Sequence, residues 1–127
     1  MPLVTLTVTA PKSAAFKTAV LAGVHHALVA SGVPESDRFQ RVLELPSDDF
    51  RFDPRYPDLA SDRDAAFVLI EILWSVGRSV KVRRTLIADI LAELARDPGL
   101  DPEHVMLVFK ETQWENWAFG GGRMPHV

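Results

Sequence analysis

The chain of 127 residues contains no cysteine. That excludes disulfide frameworks, thiol nucleophiles and thiolate metal sites, and it is compatible with a reducing, cytoplasmic setting. A basic excess is also missing: 14 Lys and Arg against 17 Asp and Glu leave a formal net charge of −3. Such a balance offers no electrostatic footprint for nucleic acid or for an anionic membrane. No long hydrophobic run is present. The richest apolar stretch, Ala65 to Trp74, is interrupted by Glu71 and is too short to cross a bilayer. The N-terminus lacks a basic region followed by an apolar block, so no signal peptide is expected. The three glycines Gly120, Gly121 and Gly122 match neither a dinucleotide nor a Walker pattern and are read as a turn. His25 and His26 are adjacent on a predicted helix, where neighbours point roughly 100° apart. They do not make a metal pair and are read as packing or surface residues.

What is present is a globular composition. Hydrophobic residues make up 47% of the chain and mean hydropathy is +0.05, which suits one domain over 1–127 with a real core. The first residues alternate, with Val4, Leu6 and Val8 on one face and Leu3, Thr5 and Thr7 on the other, and predict a strand. Pro2 stands at its start, where a residue without an N–H is best tolerated. Removal of Met1 would free the Pro2 nitrogen as a secondary amine, with an unperturbed pKa of about 7.7–8.0. Retention of Met1 would leave an amide with no basicity. Burial or a nearby cation would bring the free amine into the range of a general base.

Further along, Phe16, Val20, Leu21, Val24, Leu28 and Val29 recur at helical spacing and predict a helix over roughly 13–30, ended by Gly32. Phe39 to Leu45 alternates as a second strand. Residues 46–64 are rich in Pro, Asp and Arg without a period; a loop this long is often functional or covers an opening. Phe67 to Trp74 is apolar on both faces and predicts a central strand. A second helix follows over roughly 79–96, with Val82, Leu86, Ile90, Leu91 and Leu94 inward and Asp97-Pro98-Gly99 as its stop. Val105 to Lys110 predicts a fourth strand.

The order is strand, helix, strand, twice. An offset of 67 lays Leu3-Val4-Thr5-Leu6 over Ile70-Glu71-Ile72-Leu73, Ala10 over Gly77, and Gly32-Val33 over Gly99-Leu100. The pseudo-repeats span about 2–45 and 66–110. The expected fold class is α+β: duplicated β-α-β units forming a four-stranded sheet with two helices on one face. The other face would be left bare and apolar, for another subunit to cover.

An N-terminal proline on a strand followed by a duplicated β-α-β unit resembles the tautomerase superfamily. Gly32-Val33-Pro34 with Asp37-Arg38-Phe39-Gln40, Gly77-Arg78-Ser79, and Glu115-Asn116-Trp117-Ala118-Phe119-Gly120 resemble motifs of its malonate semialdehyde decarboxylase-like branch. The resemblance runs in order along almost the whole chain. It implies a homotrimer of β-α-β-repeat subunits whose base is the amino-terminal proline. By the same resemblance Pro2 matches the catalytic proline, and Asp37 the acid that works beside it. Arg78 matches one of two arginines that hold the substrate carboxylate, while Trp117 and Phe119 match aromatic pocket walls. Arg38 and Gln40 take a supporting role. The position of the second arginine is Val76, a departure that weighs against decarboxylation.

The resemblance thus implies a tautomerase-like enzyme that needs neither metal nor organic cofactor and acts on a small 2-keto or enol carboxylic acid. Decarboxylation or hydration of a malonate semialdehyde-like acid is the alternative within enzymes. A non-catalytic trimer that binds a ligand or partner is the alternative outside them.

Overall fold

Val4, Leu6 and Val8 are each no more than 1% exposed, and they form the centre around which the chain is layered. They belong to strand β1 (Leu3–Thr9). Helix α1 (Ala14–Ala30) and strand β2 (Phe39–Leu45) follow, then β3 (Val68–Ser75), α2 (Val80–Arg96) and β4 (Val105–Thr112). This computed structural model describes residues 2–125; whether Met1 is retained lies outside the described residues.

The four strands make one sheet in the order β2-β1-β3-β4. β1 is parallel to β2, with Leu3 opposite Phe39, and antiparallel to β3, with Leu3 opposite Leu73. β4 runs parallel to β3, Val68 opposite Val105. Each parallel pair is joined by its own helix, as the duplicated pattern requires. The strand expected to be central is central: Ile70, Ile72 and Trp74 are wholly buried against the helices.

Local chemistry sets the helix bounds. Ser13 Oγ accepts from Phe16 N–H at 3.0 Å and Ser79 Oγ from Val82 N–H at 3.2 Å, so both helices start on a serine cap. α1 ends in a Schellman closure. The Val33 N–H reaches back to the Leu28 carbonyl at 3.1 Å, and Gly32 sits at φ +113°, where a side chain would be strained. The two helices approach closely at Gly23, where a Cβ would lie 3.1 Å from Leu94 Cδ2.

Val20, Val24 and Leu28 of α1, with Leu86, Ile90 and Leu94 of α2, face the sheet. Val82 was expected to join them and does not. It is 37% exposed, because the first turn of α2 faces an open groove shared with Ala30 and Ser31 at the end of α1. His25 is a packing residue, 2% exposed, whereas His26 is exposed.

Among the described residues, no layer covers the opposite sheet face. Phe39, Leu43 and Met106 are each close to half exposed there, in line with Leu3, Leu69, Leu73 and Val108 by register. One polar row crosses it. Arg41 Nε donates to Thr5 Oγ1 at 2.8 Å, Thr5 lies opposite Glu71, and Glu71 pairs with Lys110.

Residues 46–64 are ordered by their own contacts. Phe50 and Phe52 pack on Phe67 with centroids 5.6 and 4.5 Å away. Arg55 pairs with Asp62 at 2.6 Å, and Arg63 Nη1 donates to the Asp53 carbonyl at 2.7 Å. The loop leaves from the C-terminal end of β2 and returns at the N-terminal end of β3. Within one chain it therefore caps the sheet edge opposite to the one at which β1 begins.

Candidate active site

Strand direction decides which residues can meet. β1 starts just after Pro2, and β2, being parallel, starts beside it shortly after Asp37. β3 is antiparallel and ends at that same edge with Ser75, leading to Arg78. β4 is parallel to β3, so its exit leads there too, to Trp117 and Phe119. Pro2, Asp37, Arg78, Trp117 and Phe119 thus share one edge of the sheet, although 117 positions separate the first from the last.

Pro2 is buried. With Leu3 opposite Leu73, its next position brings it alongside Trp74. Arg78 also sits on Trp74: its guanidinium carbon is 4.3 Å from the indole centroid, a cation–π stacking. Arg78 Nη1 donates to the Ser75 carbonyl at 2.7 Å, and the Arg78 carbonyl accepts from Arg83 Nη1 at 3.0 Å. The residue is pinned from both ends. Burial draws the Arg78 pKa below its ordinary value, and the carboxylates of Glu111 and Asp37 pull it back. An arginine remains cationic under such pulls, so the edge carries a fixed positive charge within electrostatic reach of Asp37.

Asp37 is half-buried on the turn before β2, with its N–H on the Pro34 carbonyl at 3.0 Å. Two ties hold that turn to α1. His25 Nε2 and the Glu35 carbonyl are 2.9 Å apart, so the ring nitrogen is the donor. Gln40 Nε2 donates to the Leu21 carbonyl at 2.8 Å, and Gln40 Oε1 accepts from Arg38 Nε at 3.1 Å. Arg38 and Gln40 thus tie the start of β2 to α1.

The aromatic wall is built from the tail. Trp117 Nε1 donates to Ser75 Oγ at 2.9 Å. Phe119 stacks on Trp117, centroids 5.6 Å apart and planes 5° from parallel, and also meets Phe39 at 5.8 Å. Val76 hydrogen-bonds through its backbone to the Thr112 carbonyl at 2.9 Å and brings no charge. The glycine run is a turn, as expected, with Gly121 and Gly122 at positive φ.

Sequence reading missed three participants: Trp74 as the platform for Arg78, Ser75 as the anchor of Trp117, and His25 as the tie to the Asp37 turn. Trp74 and Ser75 carried no signal beyond their place on a buried strand. A histidine on the buried stripe of α1 was a signal, because a buried imidazole needs a hydrogen-bond partner. Among the described residues no group of His, Asp and Glu side chains could hold a metal ion.

The edge gathers a buried proline, a fixed cation and stacked aromatic rings, and comparison with known proteins gives the class. A family model described as tautomerase enzyme matches residues 37–120. The chain belongs to this tautomerase family. It is 25% identical over 128 residues to the probable tautomerase YusQ of Bacillus subtilis (strain 168), covering 100% of this chain and 99% of that one. Among solved structures, the FG41 malonate semialdehyde decarboxylase inhibited by 3-bromopropiolate superposes with a TM-score of 0.90 at 26% identity, covering 98% and 94% of the two chains. A symmetric trimer of wild-type fused 4-OT shares the fold, with a TM-score of 0.76 at 22% identity over 95% and 94%. The protein is therefore a tautomerase-family enzyme, close in structure to malonate semialdehyde decarboxylase.

Proposed function

We propose that the chain, once freed of Met1, uses Pro2 as a general base and acid in the keto–enol tautomerisation of a small 2-oxo or enol carboxylic acid. The observation that carries this reading is the meeting of the buried Pro2 and a stacked, permanently charged arginine at one sheet edge. Arg78 binds the substrate carboxylate through a planar fork of donors. It then steadies the enolate that forms when the neutral Pro2 amine removes the proton next to the carbonyl. The same cation disfavours protonated Pro2 and keeps the base available near neutral pH. Asp37 returns the proton or orients a water. Trp117 and Phe119 exclude bulk water and so strengthen these charges.

The closeness to malonate semialdehyde decarboxylase favours decarboxylation or hydration of a similar three-carbon acid as the second reading. Val76, at the position where that branch carries another arginine, argues against it. The bare apolar sheet face and the trimeric fused 4-OT fold support a homotrimer of this chain.

The test is direct. Wild type converts the enol of phenylpyruvate and Pro2→Ala loses most of that rate. Equal rates would remove the amine from the mechanism. Intact mass of the protein isolated from cells should be one methionine short. A retained methionine would leave the non-catalytic ligand-binding trimer as the better description.

A further inference from the structure

A carboxylate stands behind the seat of Arg78. Glu111 lies on β4 directly opposite Trp74, the residue on which Arg78 stacks. Glu111 Oε2 is 3.6 Å from Arg83 Nη1, and that same nitrogen donates to the Arg78 carbonyl at 3.0 Å. Strand β4, helix α2 and the turn that carries Arg78 therefore meet at one guanidinium nitrogen. The side chains of Glu111 and Arg83 are 36% and 27% exposed, so solvent screens their charges only in part.

Arg83 acts as a strut, bonded to backbone on one side and paired with a carboxylate on the other. Glu111 is not used up by that strut. At 3.6 Å its contact is an ion pair and not a close hydrogen bond, and its field reaches Arg78 too. Burial lowers the Arg78 pKa, and Glu111 opposes that pull more strongly than Asp37 does.

A negative charge behind Arg78 lowers the positive potential that an incoming carboxylate meets. Substrate and product of a keto–enol tautomerisation carry the same carboxylate. Binding energy common to both does not speed the step between them, and a guanidinium without a counter-charge would hold the product as firmly as the substrate.

We propose that Glu111 is a specificity-determining residue whose charge, placed beside Trp74 and held by Arg83, tempers the grip of Arg78 on carboxylates and lets the product leave. It acts through Arg78 and not on the substrate itself. The inference rests on the reading of Arg78 as the carboxylate-binding cation given above.

The test compares 2-oxobutanoate with 2-oxobutanamide, the same carbon chain with the carboxylate replaced by a neutral amide. Exchange of their C3 protons for deuterium in D₂O, followed by proton NMR, reports proton abstraction next to the carbonyl. The readout is the ratio of kcat/KM for the acid over the amide. Glu111→Gln removes the charge and keeps an oxygen for Arg83 to meet; the ratio should rise about threefold, through a lower KM for the acid with no gain in kcat. Glu111→Asp keeps the charge and should return the ratio toward that of wild type. A loosened fold would raise KM, so the sign of the change separates charge from structure. A ratio in Glu111→Gln no higher than that of wild type, while wild type prefers the acid, overturns the role of Glu111 alone. An equal rise in Glu111→Gln and Glu111→Asp traces the effect to side-chain shape and overturns it as well. A wild type that exchanges neither compound, or both with equal kcat/KM, overturns the underlying reading of the site, and this inference with it.

Discussion

Trp117 donates its indole N–H to Ser75 Oγ at 2.9 Å, across 42 residues of sequence. Ser75 is wholly buried at the end of β3, and its carbonyl holds Arg78. One residue thereby sets both the aromatic wall and the cation. Ser75→Ala leaves the indole N–H without this partner, at a cost of about 1–3 kcal/mol. The expected outcome is a lower thermal midpoint together with a raised KM. A variant with wild-type KM would show that the wall is held by stacking on Phe119 alone.

Arg78 is held by a planar contact with Trp74 as well as by charge. Lysine keeps the charge but neither stacks nor forks in this way. Arg78→Ala should raise KM for carboxylate substrates roughly tenfold or more, and far more than for neutral ketones. Arg78→Lys should recover only part of the loss. Steady-state kinetics on a 2-oxo acid and a neutral ketone of similar size decides the matter. Equal effects on both would deny Arg78 a role in carboxylate binding.

His25 lies on α1, yet its ring holds the carbonyl of Glu35, two residues before Asp37. His25→Leu removes the donor and frees the turn, so kcat should fall more than KM rises. A glutamine side chain offers an amide N–H in nearly the same position as the ring donor, so His25→Gln should restore much of kcat. If His25→Leu and His25→Gln behave alike while both stay folded, the bond does not position Asp37.

On the uncovered sheet face Phe39 and Leu43 are 47% and 44% exposed. A glutamate among them would have to be desolvated on association. Leu43→Glu should therefore shift the protein from trimer to monomer, read by light scattering at micromolar concentration. A Leu43→Glu protein that still runs as a trimer would place the subunit contact elsewhere.

Much of this was legible in the chain. The alternation in Leu3–Thr9, the helical spacing from Phe16 to Val29 and the doubly apolar run into Trp74 fixed the strand and helix order. They also fixed the central place of β3. Ser13, Ser79 and Gly32 marked helix ends through side-chain and backbone chemistry that acts within four or five residues. The shared edge of Pro2, Asp37 and Arg78 was not legible in the same way: the duplicated pattern makes each β-α-β pair parallel, but the antiparallel pairing of β1 with β3 brings the end of β3 to the start of β1. Short-range preferences and periodicity are written in neighbouring residues, so they can be read there.

Contacts between distant residues are of another kind. The seat of Arg78 on Trp74, the bonds of Trp117 to Ser75 and of His25 to Glu35, and the pairing of Arg83 with Glu111 depend on how strands and tail finally register. The same is true of residues 46–64. Their composition announced a long loop, but only the direction of β2 and β3 placed it at the edge away from Pro2. Such partners are chosen by the packing of the whole core, which sums many weak contacts that no local stretch contains.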